Sequence, residues 1–171
     1  MIQKYCSVLP VLLLLAGCLY ANARAQKKSN DMSLPVKHIL SMLDKIDQTS
    51  GLSLASADEI LKVTLQLEAA QSNEYLYIYK GHGGLWKDVE LRLPRGGDGR
   101  RFVLVLEPDV SIPMSDVMSH YGDVLAFGTS NPSARTKEVF HYVYDRKIGK
   151  LTFSFPTFED PFVTGILFDR M

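Results

Sequence analysis

The chain has 171 residues, with 19 basic and 19 acidic side chains and therefore no formal net charge at pH 7. This balance excludes the strongly basic surface that is typical of nucleic-acid-binding proteins, so we expect no nucleic acid among the partners. Hydrophobic residues make up 46% of the chain, which is enough for one domain with a core of its own.

The first 17 residues have the pattern of a signal peptide. Lys4 precedes an apolar run over residues 8–15, which is too short to span a bilayer and is followed by small residues. Residues 15–18, Leu-Ala-Gly-Cys, resemble the lipobox of bacterial lipoproteins at all four positions. The resemblance implies cleavage before Cys18, acylation of Cys18 and attachment to a membrane through this lipid anchor.

The same resemblance implies a location. Leu19 stands where an aspartate would, in enteric members of the family, retain the protein in the inner membrane, so we expect outer-membrane attachment facing the periplasm. Two ordinary cleavage sites, at residues 21–23 and 23–25, leave open a soluble secreted protein. Residues 18–33 are then the lipidated cysteine and a flexible tether, and residues 34–171 form a single periplasmic domain that contains no thiol.

The first predicted element is a helix between Ser33, which can cap it, and Gly51, which can end it. Pro35 lies in the first turn, where proline is tolerated. Apolar residues at three- and four-residue spacing form a stripe that we expect to face the core. They are Val36, Ile39, Leu40, Leu43 and Ile46.

The next segment carries two conflicting patterns. Ser56 and Glu59 have the spacing of a capping box, which predicts the start of a helix. Apolar and polar residues alternate from Leu61 to Ala69, which predicts a strand. We therefore expect a short helical turn over residues 56–60 followed by a strand over residues 61–69.

Three more strands are predicted in the first part of the chain, over residues 75–79, 86–93 and 102–106. Glycine-rich segments at 80–84 and 94–99 separate them and predict loops. Short connections between successive strands favour an antiparallel meander.

A second helix is predicted over Pro113–His120, with Gly122 ending it. A loop through Gly128 and Pro132 follows, and then strands over residues 139–144, 151–155 and 162–168. The fold class is therefore expected to be α+β, with a helix-strand-strand-strand unit at the C-terminus and one or two helices packed on one face of an antiparallel sheet. Four residues of this helix region are expected to face inward: Met114, Val117, Met118 and Tyr121.

This C-terminal unit resembles a known repeat. Residues 116–122, Asp-Val-Met-Ser-His-Tyr-Gly, precede a strand with Tyr142 and Tyr144, a strand over residues 151–155 and a final strand over residues 163–168. The pattern resembles the repeat unit of β-lactamase-inhibitor-protein-like domains, to which the SmpA/BamE outer-membrane assembly lipoproteins are similar. The Gly-x-Pro that usually follows the helix is absent, because Asp123 and Val124 come after Gly122. The resemblance implies a binding module.

The sequence contains no motif that predicts catalysis. Residues 81–84, Gly-His-Gly-Gly, resemble the oxyanion-hole segment of lipases, but no Gly-x-Ser-x-Gly elbow accompanies them. No two of the histidines have the close spacing of a zinc site. We therefore expect a protein that is not an enzyme and that holds no cofactor and no metal ion. The histidines are His38, His82, His120 and His141.

Aromatic residues instead favour protein binding. Three tyrosines alternate along one predicted strand near Trp86, and they form either an exposed stripe or, under a second helix, part of the core. Phe158 and Phe162 flank a loop, which favours them as contact residues. The candidate partner-binding residues are Tyr75, Tyr77, Tyr79, His82, Trp86, Arg95, Arg100, Phe158, Glu159, Asp160 and Phe162.

Two kinds of binding protein fit these patterns. The first is an immunity protein that neutralises a secretion-system toxin delivered into the periplasm, by covering the active cleft of the toxin. The second is an outer-membrane assembly or structural lipoprotein of the SmpA/BamE-like type, as the resemblance implies. Small-ligand binding and enzyme activity are less favoured, because no residue pattern points to either.

Overall fold

The computed structural model of the protein describes residues 32–130, 139–159 and 161–170. Within these ranges the chain forms three helices, α1 (Leu34–Gln48), α2 (Leu54–Leu61) and α3 (Met114–Tyr121). The strands in the same ranges are β1 (Gln66–Leu67), β2 (Leu76–Gly83), β3 (Trp86–Pro94), β4 (Phe102–Pro108), β5 (Ala126–Ser130), β6 (Val139–Arg146), β7 (Gly149–Phe155) and β8 (Gly165–Arg170). The predicted signal peptide and Cys18 lie outside the described residues, as does Asp160.

All eight strands belong to one antiparallel sheet in the order β1-β2-β3-β4-β8-β7-β6-β5. We call α1, α2 and β1–β4 the first half, and α3 and β5–β8 the second half. Each half ends in a four-stranded meander, and the meanders join where β4 pairs with β8. The predicted α+β class and antiparallel sheet are therefore confirmed, although the described residues contain three helices rather than one or two.

The core lies between the helices and one face of the sheet. Along β4, Phe102, Leu104 and Leu106 are buried, whereas Val103 and Val105 on the opposite face are half-buried. The predicted apolar stripe of α1 is confirmed, because all five of its members are buried. Burying a side chain of this size stabilises the folded state by about 1.5–3 kcal/mol.

The predicted strand over residues 61–69 is largely wrong. The helix before it is longer than expected, because Ser53 caps α2 in a capping box with Ser56 and Lys62 ends α2 in the left-handed region at φ 58°. The burial of alternate residues persists beyond the helix, but only the two residues of β1 pair with β2. One reason is that the backbone N–H of Leu65 donates to Asp58 Oδ1 at 3.0 Å instead of to a neighbouring strand.

Three further predictions are corrected. β2 continues through residues 80–83, where a loop was expected, with an irregular register between Gly81 and Gly83. β5 occupies part of the expected loop around Gly128, so the C-terminal unit is a helix followed by four strands. Met118 is exposed rather than inward-facing, because Met114 and Val117 set the buried side of the short helix α3.

Candidate functional site

Five rings at the β5 edge of the sheet form one continuous group, which we call the aromatic cluster. Phe158 lies at its centre, with ring centroids 4.4 Å from Phe140, 5.5 Å from Phe155 and 5.6 Å from Phe127. Tyr142 completes it, 5.7 Å from Phe127 and 5.0 Å from Phe155. Every ring therefore contacts at least two others, which holds the exposed members in place.

The strand register explains this arrangement. Phe127 of β5 lies opposite Tyr142 of β6, and Phe140 of β6 lies opposite Phe155 of β7. Paired residues of neighbouring strands point to the same face of a sheet, so all four rings lie on the face that carries the helices. Phe158 reaches them from the loop that follows β7.

The cluster is anchored at one side and open at the other. Phe155 is fully buried, whereas 51% of Phe127 and 54% of Phe158 are exposed. The exposed rings border an open depression of about 400 Å³. Contiguous exposed apolar surface of this kind is typical of interaction sites. The depression is lined by Val124, Leu125, Ala126, Phe127, Tyr142 and Phe158.

Two carboxylates flank the depression in the sequence. Asp123 precedes the lining residue Val124, and Glu159 follows Phe158, and both are exposed. We call Asp123 and Glu159 the acidic rim. Apolar rings with acidic residues next to them in the sequence favour a partner that presents an apolar group together with basic residues.

In the first half, the structure decides between the exposed-stripe and core interpretations residue by residue. Tyr75 is 72% exposed, whereas Tyr77 and Tyr79 are half-buried on the face that carries the helices. Trp86 is only 1% exposed, and its Nε1–H donates to the carbonyl oxygen of Leu61 at 3.1 Å. The prediction of Trp86 as a contact residue is therefore wrong, because α2 covers it.

The predicted glycine-rich loop over residues 94–99, next to Arg100, packs against the segment that joins α1 to α2. The backbone N–H of Leu52 donates to the carbonyl oxygen of Gly99 at 2.8 Å, and a Cβ at Gly99 would lie only 2.9 Å from the carbonyl oxygen of Leu52. The guanidinium of Arg95 lies 4.3 Å from the centroid of the Tyr77 ring, and Arg100 pairs with Asp98 at 3.1 Å. Both arginines are exposed, so each combines a local partner with an accessible surface.

The predicted contact residues therefore do not form one site. The tyrosines, the arginines and the exposed His82 belong to the first half, whereas Phe158 and Glu159 belong to the second half. Five strand spacings separate β2 from β6, which corresponds to about 24 Å. Phe162 is 37% exposed and forms an isolated bridge with Pro113, just before α3.

The structure also brings together five polar residues whose proximity is not apparent from the sequence. We call them the polar cluster: Asp44, Asp47, His120, Tyr121 and Arg146. His120 Nε2 lies 2.8 Å from Asp44 Oδ2, and Arg146 Nη2 lies 3.0 Å from Asp47 Oδ2. The guanidinium carbon of Arg146 lies 4.9 Å from the centroid of the Tyr121 ring. Local spacing could not reveal these pairs, because 76 positions separate Asp44 from His120.

The polar cluster connects α1 to α3 and β6. Burial, and then the nearby negative charge of Asp44, raise the pKa of Tyr121 far above its usual value. The hydroxyl group of Tyr121 therefore stays protonated near neutral pH and is a poor base or nucleophile there. The geometry supports a structural link between the elements.

The described part of the chain has neither a metal-binding group of side chains nor a membrane-spanning helix. It contains no group of three or more histidine, cysteine or carboxylate side chains placed to hold a metal ion. None of the helices within residues 32–130, 139–159 and 161–170 has both the length and the apolar character needed to cross a membrane.

Comparisons with protein-family models, with curated proteins and with solved structures find no match to this chain. The similarity of the C-terminal unit to β-lactamase-inhibitor-protein-like domains and to SmpA/BamE lipoproteins therefore stays a prediction, as does the lipobox.

Proposed function

We propose that the protein is a periplasm-facing lipoprotein that binds another protein, and that it acts as an immunity protein against a secretion-system toxin delivered to the periplasm. The observation that carries the proposal is the aromatic cluster, with the half-exposed rings of Phe127 and Phe158 beside the acidic rim. Aromatic side chains that rest on a rigid support dominate the binding energy of many protein interfaces.

The cluster has the properties that inhibition by occlusion requires. Phe155 and the paired strands β6 and β7 support the rings on their buried side, so little conformational entropy is lost when a partner binds. The loop that carries Phe158 projects an apolar side chain next to a carboxylate. In this proposal the loop covers the active cleft of the toxin and excludes its substrate.

The experiment begins with the gene next to this one, which the proposal predicts to encode the toxin. A strain that lacks this gene is challenged with a neighbour that delivers the toxin, and survival is measured after complementation with the full chain. We expect wild type to protect and Phe158→Ala to lose at least about 90% of the protection, because truncating a hot-spot residue costs about 2 kcal/mol or more of binding free energy.

Tyr75→Ala is the matched control, since Tyr75 is the most exposed of the predicted aromatic residues and lies in the first half. It should protect as wild type does. Protection that survives Phe158→Ala, or that is lost with Tyr75→Ala, contradicts the aromatic cluster as the contact surface. A neighbouring gene for outer-membrane assembly, with no toxin sensitivity after deletion, favours the assembly lipoprotein instead.

The proposed anchor has its own test. Cys18→Ala should move the protein from the membrane fraction to the soluble periplasmic fraction, because it removes the residue that would carry the lipid. Mass spectrometry of the wild-type protein should find an acylated N-terminal cysteine. An unmodified chain that begins at Arg24 or Gln26 would mean that an ordinary secretory cleavage site is used.

A further inference from the structure

We propose that β5 accepts an extended segment of the partner protein, which pairs with the edge of β5 that no described strand occupies and adds a further strand to the sheet. This inference rests on the proposed function, because it specifies how the partner is held beside the aromatic cluster. Strand addition at an exposed sheet edge takes its affinity from backbone hydrogen bonds and its specificity from the pockets beside the strand.

The outer edge of β5 has features that allow another strand to pair with it. β5 is the terminal strand of the sheet and pairs with β6 alone among the described strands. Its five residues, Ala-Phe-Gly-Thr-Ser, include no charged residue and no proline. Charges and prolines are the usual means by which edge strands avoid pairing with another chain, so the β5 edge lacks that protection.

The two faces of the sheet at β5 carry side chains of different size. Phe127 projects toward the face that carries the helices, where a partner side chain could pack on it. On the other face, Ala126 and Gly128 are small, and no described atom lies within 4 Å of the position that a Cβ would take at Gly128. An incoming strand can therefore approach with its large side chains on the aromatic side.

The negative charge of the acidic rim favours one kind of occupant. The two exposed residues of the acidic rim, Asp123 and Glu159, are adjacent in sequence to lining residues of the depression, so the favoured segment carries one large apolar residue flanked by lysine or arginine. A second copy of this chain would bring the same acidic rim to the interface from the other side. Like charges that face one another across an interface oppose association, so a basic partner segment is the better occupant.

The test uses a fluorescent peptide, Thr-Lys-Val-Thr-Phe-Thr-Val-Lys-Thr, and the purified full chain, with binding measured by fluorescence anisotropy. We expect saturable binding that weakens by at least about fivefold when both lysines are replaced by glutamate. Phe127→Ala should weaken binding by at least about tenfold. Leu67→Ala is the matched control, since Leu67 lies in the opposite edge strand and is also 51% exposed, and it should leave binding unchanged.

Two backbone-methylated peptides separate strand pairing from apolar contact alone. One carries N-methyl groups at odd positions and the other at even positions, so that only one of them blocks the N–H groups that face β5. We expect one peptide to lose at least about tenfold in affinity while the other keeps the affinity of the parent. Equal affinities of the two methylated peptides, or no binding of the parent, would overturn the proposal.

Two outcomes distinguish this proposal from the proposed function. If Phe158→Ala abolishes protection but the methylated peptides bind equally, the protein still binds its partner through the aromatic cluster and strand addition is wrong. If sedimentation shows a dimer of the full chain that Phe127→Ala dissociates, the edge is occupied by a second copy and the proposed partner segment is wrong. Circular dichroism of each variant confirms that it is folded.

Discussion

The two halves of the sheet share a strand order but differ in how their aromatic residues are covered. In the first half, α2 ends directly over Trp86 and accepts a hydrogen bond from its indole ring. In the second half, Tyr121 of α3 packs on Tyr144 and Phe153, while Phe127 and Phe158 remain half-exposed. Trp86 therefore supports the core of the first half, whereas Phe127 and Phe158 form part of the surface of the second half.

The exposed aromatic cluster is thus confined to the β5 end of the sheet. Burial of a large aromatic side chain is favourable, and the first half achieves it with a second helix. The second half has four strands and one described helix, so its outer rings remain available for a partner. Four substitutions test this difference between the two halves.

The largest effect is expected from Trp86→Ala. Removing a fully buried indole leaves a cavity and an unpaired carbonyl oxygen at Leu61, so the free energy of unfolding should fall by about 3–5 kcal/mol. Urea denaturation followed by circular dichroism measures the loss. If the alanine variant does not fold, Trp86→Phe should fold and lose a smaller part; a Trp86→Phe variant as stable as wild type would contradict the covered state of the first half.

A middle-sized effect is expected from Asp47→Ala, which tests the link by which α1 of the first half reaches β6 of the second half. Asp47 accepts from the backbone N–H of Ile148 and pairs with Arg146, and it is buried. Its loss should lower the free energy of unfolding by about 2 kcal/mol, because two partly buried donors lose their acceptor. Asp44→Ala is the control, since its more exposed contact with His120 should contribute less than about 1 kcal/mol.

A small effect is expected from Phe127→Ala on stability, in contrast to its effect on binding. Half of the ring is already exposed, so the free energy of unfolding should fall by only about 1 kcal/mol. Trp86 is the only tryptophan of the chain, and its fluorescence can report unfolding in this variant. A loss of stability comparable to that of Trp86→Ala would mean that Phe127 belongs to the core, as Trp86 does.

The smallest effect at neutral pH is expected from Tyr121→Phe, which should change the free energy of unfolding by less than about 0.5 kcal/mol at pH 7. Above pH 10 the two proteins should differ. The unfolded chain releases the phenolic proton near its ordinary pKa of about 10, whereas the raised pKa of Tyr121 keeps the proton on the folded chain. The unfolded state then binds fewer protons, so stability falls as pH rises, by up to about 1.4 kcal/mol per pH unit.

Because the pKa of Tyr144 is also raised by burial, the variant should show a shallower fall with pH rather than none. Urea denaturation at pH 9 and at pH 11 measures both slopes. Identical slopes in wild type and Tyr121→Phe would show that the hydroxyl of Tyr121 titrates alike in the folded and the unfolded state.

Sequence patterns predict some secondary-structure elements of this fold and miss others. The helix α1 follows from spacing alone, because its five apolar residues are three or four positions apart and all become buried. The strand β5 could not be found in this way, because Ala-Phe-Gly-Thr-Ser has the composition of a loop and owes its structure to pairing with β6. Alternation from Leu61 to Ala69 misled because an extended chain can bury alternate residues without joining a sheet along its length.

The candidate site was predictable only in part. The position of Phe158 and Glu159 in an exposed loop follows from the prolines at 156 and 161, which lie between two predicted strands. Their grouping with Phe127 depends on the pairing of β5 with β6 and of β6 with β7, which no local pattern specifies. The burial of Trp86 likewise depends on α2 continuing to Leu61, where the alternating pattern favoured a strand.

The position of β8 has a consequence for how the chain acquires its shape. This strand is synthesised after the other seven, yet it lies in the middle of the sheet between β4 and β7. Until it leaves the ribosome, β4 lacks the strand with which it pairs in the second half, and the two meanders cannot join into one sheet. Contacts between segments so distant in sequence form slowly, and the pairing of β4 with β8 is therefore expected to be a late step in folding.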